Sequence, residues 1–265
     1  MRKNLVLFLL LPAFALLPAT YEVWLLPSKF FYQPGEKAII TIRTGNDFGG
    51  EPWDVKKDQV EKATHYYLAV SRDLKPVIKE GVKDHLEIAL DREGTHLVTL
   101  QSVAVVNEIE AEEFNTYLKD NGLDEVYDQR VKTNTLNAAG KELQSSYSKL
   151  LLQAGNKRDG TFAKLTGFPL EIIPEKNPYA LKAGEVIRFK ILWQGKPLFG
   201  AKVKVWIKKD NRTGVQNIYS GQDGMIETRI SGSGTWMVSA VKMMPSKNAQ
   251  ADWQRYRSSL VFGIQ

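Results

Sequence analysis

The chain has 265 residues, no cysteine, and 36 Lys and Arg against 30 Asp and Glu, for a formal charge of +6. The lack of cysteine excludes a disulfide framework, a thiol nucleophile and a lipid-bearing cysteine at a cleavage site. The charge excess is too mild for a nucleic-acid protein, which needs a concentrated basic face.

Arg2 and Lys3 precede an apolar run from Leu5 to Leu17 that is broken by Pro12 and followed by Pro18-Ala19-Thr20. This is the layout of a secretory signal peptide over residues 1–20, with cleavage near Ala19 or Thr20. A membrane-spanning helix needs about 20 apolar residues, and neither this run nor any later one supplies them. The mature chain is expected in the periplasm or secreted, with no transmembrane segment.

Pro34-Gly35-Glu36 opens the run Lys37 to Thr44, and Ala183-Gly184-Glu185 opens the run Val186 to Trp193. Aligned on the glycines, Ala38, Ile40 and Ile42 match Ile187, Phe189 and Ile191. A period of two places alternate side chains on opposite sheet faces, so the same three positions turn inward in each half. Further strands are expected at His65 to Ser71, His85 to Leu90 and Thr95 to Val106, separated by turn-forming residues. Asn107 with Glu110 reads as a helix start, and Gly122 as its end. The spacing of Leu143, Tyr147, Leu150, Leu151 and Ala154 reads as a second helix ending at Gly155. Strands then resume at Ala201 to Lys208, Met225 to Ile230, Trp236 to Val241 and Leu260 to Ile264. Asp223-Gly224 reads as a hairpin turn, and the sequon Asn211-Arg212-Thr213 as turn chemistry.

The expected fold is therefore mainly β: two tandem Ig-like antiparallel β-sandwich domains, at 21–106 and 163–265, with a helical insertion or linker at 107–162. No complete catalytic or ligand motif accompanies it. His65, His85 and His96 fall in separate strands without the paired spacing of metal ligands. There is no phosphate-binding glycine loop, Gly-x-Ser-x-Gly elbow or His-Glu-x-x-His helix, and Ser231-Gly232-Ser233-Gly234 reads as a turn.

Glu22-Val23-Trp24-Leu25-Leu26-Pro27, Asn177-Pro178-Tyr179, Gly195-Lys196-Pro197-Leu198 with Gly200-Ala201, Asp223-Gly224, Gly234-Thr235-Trp236 and Ser259-Leu260-Val261-Phe262, in that order, resemble a bacterial exported family of unknown function related to the nickel-uptake component NikM. The resemblance implies a periplasmic protein of sandwich-like domains with a link to transition-metal uptake. Relatives place histidine just before the Glu-x-Trp segment and in the strand after Gly-x-Trp, where this chain has Tyr21 and Lys242. A protonated ammonium cannot coordinate and a phenol is a weak substitute for imidazole, so a metal held there by relatives is not expected here.

The sequence thus reads as an exported, non-catalytic binding or accessory module with no cofactor and no metal. Its candidate ligand-binding residues are Glu22, Trp24, Asp223, Lys242 and Tyr256, which lie on matched or variant segments. The rival readings are a periplasmic component of nickel or cobalt uptake, partnered by a metal transporter or another envelope protein, and a carboxylate-dependent enzyme acting on envelope glycans.

Overall fold

The computed structural model describes residues 22–46 and 48–265. The expected signal segment, its cleavage point and Tyr21 lie outside the described residues. Among those described, no helix is long and apolar enough to cross a membrane.

The protein is mainly β, in several sheets, with a helical insertion. The first half supplies β1 (Glu22–Pro27), β2 (Phe31–Tyr32), β3 (Lys37–Gly45), β4 (Glu51–Pro52), β5 (Val60–Tyr67), β6 (Val70–Asp73), β7 (Leu86–Ala89), β8 (Gly94–Ser102) and β9 (Val105–Ile109), then α1 (Ala111–Asp120), α2 (Asp124–Lys132) and β10 (Gly140–Ala154). The second half supplies β11 (Leu170–Pro174), β12 (Val186–Trp193), β13 (Lys196–Pro197), β14 (Lys202–Lys209), β15 (Arg212–Tyr219), β16 (Met225–Arg229), β17 (Gly234–Pro245) and β18 (Trp253–Ile264).

The repeat announced by the two Gly-Glu openings is present. β3 buries Ala38, Ile40 and Ile42, and β12 buries Ile187, Phe189 and Ile191. Each strand organises its own four-stranded sheet, β1-β3-β4 with β7 and β11-β12-β13 with β16. Between these runs a ten-stranded sheet in the order β15-β14-β17-β18-β10-β8-β5-β6, with β2 and β9 also on β10. Read outward from its centre, the order repeats: β10, β8, β5 and β6 occupy the places of β18, β17, β14 and β15.

β10 and β18 meet in parallel, Glu142 opposite Trp253 through Leu150 opposite Val261. Side chains alternate across this seam. Leu150, Leu152, Met237 and Val261 join the core beneath the β1-β3 sheet, whereas Leu151, Val238, Leu260 and Phe262 join the core beneath the β11-β12 sheet. The two small sheets therefore cover opposite faces of the large one. A two-fold axis lying along the strands relates the halves, since that rotation keeps strand direction and exchanges faces.

Three local expectations are overturned. Leu143 to Ala154 is the strand β10, not a helix, and every residue from Ser145 to Ala154 is buried. A strand covered on both faces loses the period of two and becomes a near-continuous apolar run; helix-like intervals then arise by chance, and packing overrides the helix propensity of Leu, Gln, Lys and Ala. Asn107 lies in β9 rather than capping a helix, and α1 begins after Glu110. Gly122, at φ +64°, follows α1 as expected. Asp223-Gly224 does not close a hairpin but turns a corner, because β15 and β16 belong to different sheets. The tight hairpin is at Asp210-Asn211, between the paired residues Lys209 and Arg212.

Candidate ligand-binding site

β1 crosses the β10–β18 seam at a band of small hydroxyl residues. Ser148 and Ser259 each donate a hydroxyl hydrogen bond to the Val23 carbonyl, at 2.8 and 3.0 Å. Short side chains let the backbone of β1 approach, and the hydroxyls satisfy a carbonyl that a buried strand crossing would otherwise strand. Glu22, one residue earlier, is carried under the protein surface and is 6 % exposed. Ser239 donates to its Oε1 at 3.3 Å, and Trp206 donates its indole N–H to Ser239 at 3.3 Å. Glu22 Oε2 is buried and has no hydrogen-bond partner among the described residues.

α1 forms the facing wall. Its Phe114, Tyr117 and Leu118 pack with Val241, Met243 and Trp253, and Gly140 admits the Phe114 ring, because a Cβ there would overlap it. That packing turns Glu112, Glu113, Thr116 and Asp120 toward a cavity of about 570 Å³, which Glu22, Tyr117, Trp206, Lys204 and Arg257 also line.

Beneath the cavity lies a cationic pair on β18. Arg255 Nη2 is 2.7 Å from Glu142 Oε1, with both side chains at most 1 % exposed. Arg257 Nη2 donates to the Tyr117 hydroxyl at 3.1 Å. The guanidinium groups stand 5.0 and 5.6 Å from the Tyr117 ring centre. Burial opposes the charge on Arg257, but Tyr117, Glu22 and Glu142 outweigh it and hold its pKa above the ordinary value. Burial raises the pKa of Glu142, against the pull of Arg255 and Arg257. Charges buried this deeply persist only when paired and hydrogen-bonded. Arg257 thus anchors Tyr117, and Tyr117 fixes α1 against the sheet.

Of the residues expected to form a site, Glu22 alone lines this cavity. Trp24 is a core residue, edge-on to Phe48 at 5.8 Å. Asp223 caps its corner turn by accepting from the Met225 N–H at 3.0 Å. Lys242 and Tyr256 are cross-strand partners. Lys242 reaches Glu125 of α2 at 3.4 Å, and Tyr256 packs against Trp193 at 4.7 Å within the second core. The proposed five-residue constellation therefore does not assemble, because the large sheet separates Tyr256 from Glu22. Sequence reasoning missed Tyr117, Lys204, Trp206 and Arg257. The available signal was Arg255 and Arg257 in a strand whose other residues are largely apolar or small.

The histidines are structural. His96 donates Nε2–H to the Arg92 carbonyl at 2.8 Å, which leaves Nδ1 to accept from His65 Nε2 at 2.8 Å. His85 accepts from the Ile42 N–H and donates to the Trp53 carbonyl. Among the described residues, no three His, Cys, Asp or Glu side chains are grouped to hold a metal ion.

Similar solved structures include the three N-terminal domains of the bacteriophage RB49 outer capsid protein Hoc, 10 % identical, covering 92 % of this chain and 71 % of that one at a TM-score of 0.20. The FN1–FN3 domains of chicken CNTN1 are 10 % identical, covering 89 % and 66 % at a TM-score of 0.19. No curated protein matches the sequence. The model of the family described as domain of unknown function, DUF4198, matches residues 20–243, and the chain belongs to that family.

Proposed function

We propose that the protein is an exported, non-catalytic binding module that holds a small ligand between α1 and β1. The observation that carries this reading is the unpartnered, buried carboxylate oxygen of Glu22 in a cavity of about 570 Å³. Ligand sites are concave, commonly about 300–1,000 Å³, and fix their occupant with a few placed polar groups. Leaving a buried acceptor unmatched costs about 1–3 kcal/mol, a cost that a bound donor removes. Export to the periplasm rests on the amino-terminal signal pattern, and sequencing the amino terminus of the secreted protein tests it.

A thermal-shift screen of amines, sugars, amino acids and divalent cations tests the binding reading, because a specific binder of the folded state raises the melting temperature by mass action. Thr116→Trp, an exposed change on α1 that fills the cavity, is expected to abolish the shift from any true ligand. A shift that survives it, or none across the panel, overturns the reading. The link to nickel-type uptake implied by the family resemblance has its own test. Stoichiometric nickel or cobalt in the protein purified from its native periplasm would make it a metal carrier.

A further inference from the structure

We propose that the ligand of the α1–β1 cavity is a linear polyamine; this rests on the binding reading above and names its chemical class. Charge points to a cation. Among the described residues, the carboxylates of Glu22, Glu110, Glu112, Glu113 and Asp120 line the cavity against the cations Lys204 and Arg257, and Arg257 is shared between the Tyr117 hydroxyl, Glu22 and Glu142. An anion entering here meets a surplus of carboxylates. An ammonium supplies three donors, which suits Glu22, whose Oε1 has one hydroxyl partner and whose Oε2 has none among the described residues.

Size and spacing select an extended organic cation over a bare ion. The volume greatly exceeds that of one ion, and the described residues offer no three-ligand cluster. Along α1, Glu112 and Asp120 stand eight residues apart, about 12 Å at the helical rise of 1.5 Å per residue. Carboxylates at both ends of that line, with Glu22 set beneath it, match ammonium groups separated by methylene chains. Tyr117 and Trp206 also line the cavity and give the methylenes apolar surface.

Calorimetric titration of the intact mature protein with spermidine, putrescine and L-arginine tests the assignment. Spermidine is expected to bind one to one and more tightly than the shorter putrescine. Glu22→Gln should weaken it at least about tenfold, as expected for a lost hydrogen bond to a charged group. Because Glu22 is buried, the exposed pair Glu112→Gln/Glu113→Gln provides a second test that spares the core and should also weaken binding. Glu61→Gln, an exposed charge change on β5 away from the cavity, should leave it unaltered. Absence of spermidine binding, or binding weakened equally by Glu61→Gln, overturns the proposal. If L-arginine or a divalent ion binds instead and Thr116→Trp abolishes that binding, the polyamine assignment fails while the cavity remains a ligand site. If Thr116→Trp affects no ligand, both fail.

Discussion

At the scale of single residues, the buried charges couple function to stability. Arg255 and Glu142 are both closed to solvent, so removing Arg255 takes the 2.7 Å ion-pair partner from a buried carboxylate that Arg257 also attracts. Arg255→Met is expected to cost on the order of 3–5 kcal/mol, whereas Arg255→Met with Glu142→Gln should recover part of it; urea unfolding of both variants checks this. The histidine pair predicts a pH dependence. Burial, then the charges of His96 and Arg72, lowers the pKa of His65 from 6.5 to about 3, and burial chiefly lowers that of His96. The unfolded chain takes up a proton near pH 6.5 that the native His65 refuses until about pH 3. Its stabilising contribution is complete above 6.5 and declines as pH falls, by up to about 1.4 kcal/mol per unit. Denaturation midpoints between pH 7 and 5 should fall, and less steeply in His65→Gln.

At the scale of elements, the seam and the edge behave differently. Ser259 lies where β1 presses on β18, so Ser259→Leu overfills the crossing and should cost about 1–3 kcal/mol in a denaturant titration. β15 is an outer strand, paired on one side only, and of its eight residues Arg212 alone is charged. Edge strands commonly carry lysine or proline to block pairing between molecules. Val215→Lys should therefore reduce aggregation on heating without lowering the melting temperature. β3 and β12 were legible in the sequence because each keeps one wet face and so preserves its alternation. β10 was not, since neighbours on both sides erase the pattern. The short α2 went unread although Asp124 and Glu125 open it and Arg130 and Lys132 close it, as the helix dipole favours.

At the scale of the whole molecule, each half completes the other's core. Trp206, Met237 and Val261 lie in the core of the first half, and Tyr66, Leu97 and Leu151 in that of the second. Fluorescence and far-UV circular dichroism should report a single coincident unfolding transition, and residues 163–265 expressed alone should not fold. The same interleaving hid the site from sequence reasoning. Arg257 meets Tyr117 across 140 positions and Ser239 meets Glu22 across 217, so no local spacing records either contact, and only Glu22 had been marked.

The rotation that relates the halves is broken most visibly at one connector. Between β8 and β10 the chain inserts β9, α1 and α2, whereas between the equivalent β17 and β18 it passes through residues 246–252 alone. The longer connector supplies α1, so the wall of the α1–β1 cavity comes from the segment that the second half does without.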